Sequence, residues 1–384
     1  MSKIITLKGI AWDHPRGYEP LRATSDSFNK MNPDVLIEWD IRSLKEFGDM
    51  PIEDLIESYD LITIDHPYMG QAHSNNLLLP LEEYMPKDTL ATLRNESVGP
   101  SFESYEFNGH QYALPVDAAA LVSANRKDLI ESLNLDLPNS RNELLNFYKK
   151  VPSAYKVAWA LCATDLWCTF LSLCAQDSNG NFIKNQSIDI VIGTQVLDEL
   201  KRHIENLHPE SLNWNPIQIL DYMGENNEII YSPFLFGYTN YSRADYTKYS
   251  IDFGNSPKNP ETNVSTILGG VGLAISARCN NKELAVEYIS YVAKSETQSG
   301  VYTLNGGQPG NLKAWKNEVN NVLCSNFFTN TLYTMQQAYV RPQHMGWNGF
   351  QEQGAELLHN GLMKNISSLK LMKELNHLYQ SIKK

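Results

Sequence analysis

No run of about 18 apolar residues occurs in the 384-residue chain, so no segment reads as a membrane-spanning helix. Basic residues are in deficit: 32 Lys and Arg stand against 44 Asp and Glu, a formal net charge of −12. That balance argues against nucleic acid, whose phosphates demand a basic surface, and against docking on an anionic bilayer. It does not bar an anionic ligand, because a local cluster of donors overrides the global field. Cysteine is scarce. Cys162, Cys168, Cys174, Cys279 and Cys324 are odd in number and lack the spacing of a small disulfide framework, so they read as reduced thiols. The first three lie six residues apart in an apolar segment without histidine neighbours, so no metal site is expected there, and no cofactor elsewhere. There is no Gly-x-Ser-x-Gly elbow, no phosphate-binding P-loop and no His-Glu-x-x-His. Hydrolase, nucleoside triphosphatase and zinc-protease readings therefore lack support.

The N-terminus has no basic, apolar and small-residue leader in sequence. Met1-Ser2-Lys3 runs straight into Ile4-Ile5-Thr6-Leu7-Lys8-Gly9-Ile10-Ala11-Trp12, which reads as a core strand. As it stands, the sequence leads to the expectation of a cytoplasmic protein, or of a periplasmic or extracellular one whose leader has been removed.

What is present is ordinary for a soluble globular protein: 42% hydrophobic and 20% charged residues. Single cores stop growing at about 250–300 residues, so this length predicts two domains. The first third alternates strands (3–12, 35–39, 60–65) with helices (19–31, 52–56), the order of a doubly wound lobe. Asn108-Gly109 between alternating residues predicts a hairpin over 105–116. Helices are expected near 126–134, 140–150 (capped by Asn139 or Ser140), 158–175, 193–207 and 281–294. An aromatic-rich stretch spans 231–246, and Leu268–Ser276 reads as a further strand.

Three segments, in order, resemble the type 1 extracellular solute-binding family, the maltose-binding-like receptors of ATP-binding-cassette importers. The first is Tyr112-Ala113-Leu114-Pro115, then Asn125-Arg126-Lys127-Asp128-Leu129 and Leu137-Pro138-Asn139-Ser140. The second is Gly269-Gly270-Val271-Gly272-Leu273-Ala274-Ile275-Ser276 followed by Asn281–Ile289. The third is Asn305-Gly306-Gly307-Gln308-Pro309-Gly310. The resemblance implies an α/β, two-lobed periplasmic-binding-protein-like (type II) fold with an interlobe ligand cleft and a hinge. It places residues 1–116 with 265–312 in lobe one and 117–264 with 313–384 in lobe two. It also implies capture of a small polar molecule, an organic acid or sugar-like solute, by a monomer that serves a membrane transporter if exported.

The sharpest local feature is a doubled tripeptide. Asp13-His14-Pro15 ends the first predicted strand and Asp65-His66-Pro67 the third, at the strand ends where doubly wound sheets hold ligands. With Trp12, Arg16 and Tyr18 they form a candidate polar shell, Arg16 forking a carboxylate or phosphate. The competing reading is that Asp caps a helix begun by Pro while His packs between loops. An enzyme using Asp13-His14 and Asp65-His66 for acid–base chemistry is the alternative function. Asp117, at the presumed hinge, reads equally as ligand contact or cap. Trp159, in an apolar stretch shared with Asp165 and Trp167, is either a stacking platform or core. Tyr238 and Arg243 are further ligand candidates. Gly270, Gly307 and Gln308 are candidates through close backbone approach. The Arg341–Trp347 loop reads as a cleft cover or a cap on the C-terminal helix.

Overall fold

The computed structural model describes residues 4–43, 46–47, 50–184 and 187–382, so the expected start of the first strand at Lys3 lies outside the described residues. The chain weaves two units. The first comprises Met1–Ala119, Gly269–Val322 and Arg341–Met345; the second comprises Ala120–Leu268, Leu323–Val340 and Gly346–Lys384. The divisions thus fall beyond residues 116, 264 and 312, for local reasons. Asp117 and Ala118 are bonded to Arg16 and Gln308 of the first unit. Ser265 and Leu268 donate backbone hydrogen bonds to Gln337 and Tyr339 of the second. Residues 313–322 stay with the first because Trp315 Nε1 donates to the Pro309 carbonyl oxygen at 2.6 Å and Lys313 Nζ to Glu96 at 2.5 Å.

In the first unit, Ile5–Trp12 pairs parallel with Val35–Arg42 from Ile5↔Val35 to Trp12↔Arg42. Leu61–Ile64 pairs parallel on its other side, through Gly9↔Leu61 and Ile10↔Ile62. The return strand Leu268–Ile275 runs antiparallel to it, with Gly272 opposite Ile64. All three parallel strands bring their carboxyl ends (Trp12, Arg42, Ile64) to one edge. Alternate side chains enter opposite faces of a strand. Leu7, Ala11 and Leu61 join Leu21, Phe28, Tyr288 and Ile289 in one core. Ile10, Ile62 and Ile64 join Ile52, Leu55 and Met69 in another. Burial on both faces is why Leu61–Ile64 is apolar but for Thr63, whose hydroxyl donates to the Ile10 carbonyl oxygen at 2.9 Å.

The strand Ala113–Asn125 is buried along its whole length and passes from the first unit to the second. In the second unit it pairs antiparallel with Ile229–Phe236 (Tyr231↔Asn125, Phe236↔Leu121) and with Asp252–Gly254. Helices Ala163–Asp177, Ile190–Ile204, Trp347–Met363 and Ser368–Ser381 pack with them around Trp159, Trp167, Phe234 and Trp347.

Capping explains most shifts in boundaries. Helix Pro15–Met31 starts earlier than expected because His14 caps it and Pro15 opens it. Asp189 accepts from the amides of Val191 and Ile192, so the next expected helix begins at Ile190 instead of 193. Ser140 is the N-cap of Arg141–Lys150, in a capping box with Glu143. Residues 158–162 are not helical.

Gly270 is a position where only glycine fits: its φ is +111°, and a Cβ there would lie 2.4 Å from the Asp117 carbonyl oxygen. Gly109 also has positive φ (+83°) but open space around it. Gly270→Ala is therefore expected to cost about 2–4 kcal/mol in urea unfolding, against roughly 1 kcal/mol for Gly109→Ala. Equal costs would show that the close approach at Gly270 is not tight.

Candidate functional site

The two Asp-His-Pro copies end adjacent parallel strands, yet they are used one residue out of step. In the first, His14 is the N-cap: its Nδ1 accepts from the Arg16 amide at 3.0 Å, while Asp13 is exposed. Burial, reinforced by the Arg16 charge, pushes the His14 imidazole down to about 4, so it is neutral near pH 7. Its Nδ1 lone pair is committed to the cap, not to a reacting proton. In the second copy the cap is Asp65, which accepts from the His66 amide at 2.9 Å. His66 is fully buried, edge-on to Tyr105 at 6.3 Å between centroids. Its Nδ1 lies 3.1 Å from Asp65 Oδ1, but the contact is too poorly aligned for a hydrogen bond.

Arg16 does not face solvent. Its Nε and Nη2 fork the Asp117 carboxylate at 2.7 and 2.5 Å, both side chains being buried. The same fork was expected to hold a ligand. Burial pushes the Asp117 carboxyl up, and Arg16 opposes that shift. Asp65 is neutralised in the same way. Arg341 Nη2 donates to its two oxygens at 2.9 and 2.6 Å. Burial raises the Asp65 carboxyl, but the Arg341 charge and the His66 imidazole beside it outweigh that and hold it well below the usual carboxylate range. Arg341 arrives on the strap Arg341–Met345, both flanks of which belong to the second unit. Gln343 Nε2 on the same strap donates to the Ser104 carbonyl oxygen. Residues 341–345 of that loop are thus docked in the first unit, while Gly346 at its end is the N-cap of helix Trp347–Met363.

The remaining candidates of this unit serve the chain itself. Gln308 Nε2 donates to the Ala118 carbonyl oxygen at 2.8 Å, and the Ala118 amide donates to Gln308 at 3.1 Å. A Cβ on Gly307 would strike the Tyr302 ring, at 2.3 Å. Gly270 makes room for the Asp117 carbonyl. Trp12 is buried against Phe47, with centroids 5.5 Å apart, and half-buried Tyr18 lies under the Arg22 guanidinium at 4.8 Å. Asp13 and Asp65 keep accessible carboxylate surface at the strand ends.

In the second unit Trp159 has no exposed surface and packs against His203 and Phe234, with centroids 4.8 and 4.9 Å apart, so it is core here. Trp167 packs against Phe350 at 5.4 Å in the same core. Tyr238 is buried edge-on to Tyr241, and Arg243 is half-buried. A groove of about 320 Å³ in the first unit, lined by Leu90, Arg94, Phe102 and Glu106 among others, includes none of the candidate ligand residues. Among the described residues, no group of three or more His, Cys, Asp or Glu is placed to hold a metal ion, and no helix is long and apolar enough to cross a membrane. Two residues of the strand-end region escaped the sequence reading. Tyr105 feels the charges of Asp65, Asp117 and Arg341, although burial is the main force pushing its hydroxyl far above the usual range. Arg42 ends the edge strand beside Trp12. Its signal was present as a charged residue closing an otherwise alternating strand.

Residues 13–299 match the family model described as bacterial extracellular solute-binding protein. The chain belongs to that family. This solute-binding protein is 22% identical over 297 residues to the maltotriose-binding protein of Pyrococcus abyssi (strain GE5 / Orsay), a match spanning 74% of this chain and 62% of that protein's length. Its fold is similar to that of maltose-bound T. maritima MalE3 (TM-score 0.84, 18% identity, 98% and 99% of the two chains). It is equally similar to a ribitol-bound solute-binding protein from Agrobacterium radiobacter K84 (TM-score 0.84, 16% identity, 99% of each chain). A solute-binding protein from Thermotoga lettingae TMO with bound alpha-D-tagatose is also similar (TM-score 0.80, 16% identity, 99% of each). The fold is therefore the two-lobed periplasmic-binding-protein-like α/β fold, in a family of extracellular or periplasmic receptors.

The site geometry of this solute-binding protein sets two expected outcomes. Histidine ordinarily takes up a proton at 6.5, and His14 only near 4. Between those values the unfolded chain binds the extra proton, so stability falls as pH drops through this window, by on the order of 3 kcal/mol. His14→Asn, which keeps a capping oxygen, is expected to flatten that part of the stability–pH curve in urea unfolding; an unchanged slope would remove His14 as its source. Arg16→Met strands a buried carboxylate and is expected to cost about 3–5 kcal/mol, much of it recovered when Asp117→Leu is added. Additive losses would show that the two groups are not coupled.

Proposed function

We infer that this protein captures a small polyhydroxylated solute, of the sugar or polyol class, at the strand ends of its first unit and delivers it to an ATP-binding-cassette importer. The observation that carries this reading is the pair of carboxylates, Asp13 and Asp65, beyond two adjacent parallel strands. Asp65 is kept ionised by Arg341 and oriented by the His66 amide. An oriented carboxylate with part of its surface accessible accepts hydroxyl donors strongly, and an open α/β sheet places ligands at this edge. The relatives named above carry maltotriose, maltose, ribitol or tagatose in their own descriptions, all polyhydroxylated.

The two histidines support capture rather than conversion. His14 is a neutral cap, and burial with the Arg341 charge also lowers His66. Neither has the placement of a general base that gains and releases a proton near neutrality.

Calorimetric titration with maltose, maltotriose, ribitol, mannitol and tagatose tests this. At least one is expected to bind reversibly and to be recovered unchanged by mass spectrometry. Asp65→Asn is expected to weaken it at least tenfold, about 1.4 kcal/mol. No binding across the panel, or full affinity in Asp65→Asn, would defeat the assignment; a converted solute would restore the enzyme alternative.

A further inference from the structure

Five arginines are buried among the described residues: Arg16, Arg42, Arg126, Arg141 and Arg341. Four of them bond a carboxylate. Arg16 forks Asp117, Arg126 binds Asp128, Arg141 binds Asp177 and Glu199, and Arg341 binds Asp65. Arg42 does not. Its Nη2 donates to the Thr63 carbonyl oxygen at 2.7 Å, and its Nε is buried with no hydrogen-bond partner. The guanidinium lies 5.1 Å over the Phe47 ring. The acid nearest in effect, Glu46, is exposed and takes the Ser43 amide and hydroxyl instead. A guanidinium offers five N–H donors, and a buried charge without a counter-charge is costly. A cation–π contact offsets only part of that cost. Burial accordingly pushes Arg42 down to about 10, while Tyr68, Glu46 and Tyr59 pull it back.

Its place adds the second argument. Arg42 is the last residue of the edge strand, in register with Trp12, and its carbonyl accepts from the Asp13 amide at 2.7 Å. It therefore stands at the strand-end edge, one strand from Asp13 and two from Asp65. We propose that Arg42 is an anion-recognising residue of this site, and that the captured solute carries an oxyanion beside its hydroxyls: the carboxylate of a sugar acid or the phosphate of a sugar ester. The inference rests on the solute-capture reading and narrows it. A forked guanidinium–oxyanion contact supplies the counter-charge that the protein gives to every other buried arginine. Arg16, the arginine expected from sequence to do this, is already neutralised.

The test titrates the full-length protein with glucose, glucuronate and glucose 6-phosphate, and with ribitol and ribonate, by calorimetry. At least one acidic member is expected to bind about tenfold or more tighter than its neutral parent, with affinity falling as sodium chloride is raised. Preference for glucuronate or ribonate assigns a carboxylate; preference for glucose 6-phosphate assigns a phosphate. Arg42→Met is expected to erase the acid-to-neutral ratio, and Arg42→Lys to keep part of it. A ratio that survives Arg42→Met, even in a less stable protein, makes Arg42 merely a strand tie and overturns the assignment. If Arg42→Met does not fold, the wild-type ratio and its salt dependence decide. Neutral members binding as well as acids overturn the inference and leave solute capture standing. Binding of no member overturns the sugar-class reading and this inference with it.

Discussion

The polar edge of the first unit depends on one buried ion pair. Arg16 and Asp117 are both withdrawn from water, which is tolerable only because the fork is bidentate and closely aligned. That alignment imposes conditions on everything around it. The helix that carries Arg16 must begin at Pro15, so His14 must cap it and must stay neutral with its lone pair on the Arg16 amide. The strand that carries Asp117 must be held in register, which the Gln308 clip on Ala118 does from one side. The backbone of the return strand must pass close by, which only a glycine at 270 permits. Tyr302 closes the neighbourhood, with burial and the Asp117 charge pushing its hydroxyl up. Residues that look like a ligand shell in the sequence are therefore largely the scaffold that fixes where one strand leaves the unit.

The same economy of charge governs the second copy of the tripeptide. Asp65 would be a poor fixed acceptor if it could pick up a proton at the edge of a buried site. Arg341 prevents that, and it comes from a strap whose flanking chain belongs to the second unit. A residue distant in sequence thus sets the ionisation state of a strand-end carboxylate. The identical triplets diverge because their downstream neighbours differ. Arg16 after the first Pro commits that copy to a long helix anchored by a salt bridge. Tyr68 after the second ends a short 3-10 turn that starts at His66, where the aspartate caps and the histidine is packed away.

Much of this was legible in advance, and the reason is periodicity. The largely apolar run at 60–65 marks a strand buried on both faces, the stretch 4–12 reads as a core strand, and the Asn108-Gly109 turn and Ser140 cap are read from local chemistry alone. What was not legible is pairing across the chain. Arg16 is 101 residues from Asp117, and Arg341 is 276 from Asp65. No spacing rule connects such partners, so Arg16 looked available to a ligand and Arg341 gave no sign of its partner. The thirteen-residue strand Ala113–Asn125 was hidden for another reason: its Ala118-Ala119-Ala120 centre carries helix-favouring residues that neighbours on both sides force into an extended form. Trp159 stayed open between two readings, because an aromatic in an apolar segment has the same signature whether it stacks on a ligand or on Phe234.

Net charge is a weak guide to what such a protein binds. A chain at −12 would seem ill suited to an acidic solute, yet the field at a site is set by its local pairing. Among the described residues, four of five buried arginines are cancelled at close range by a carboxylate of the chain, which removes them as ligand donors while leaving them as structural ties. Discrimination between an acid and its neutral parent needs a charge that the fold has not already balanced. Arg42 meets that condition, held rigidly by Thr63 and Phe47 at the end of a strand. Rigidity matters as much as charge, because a side chain already immobilised loses little entropy on meeting its ligand. An arginine in that state is a cost to the unliganded protein, and a bound oxyanion is the partner whose chemistry removes it.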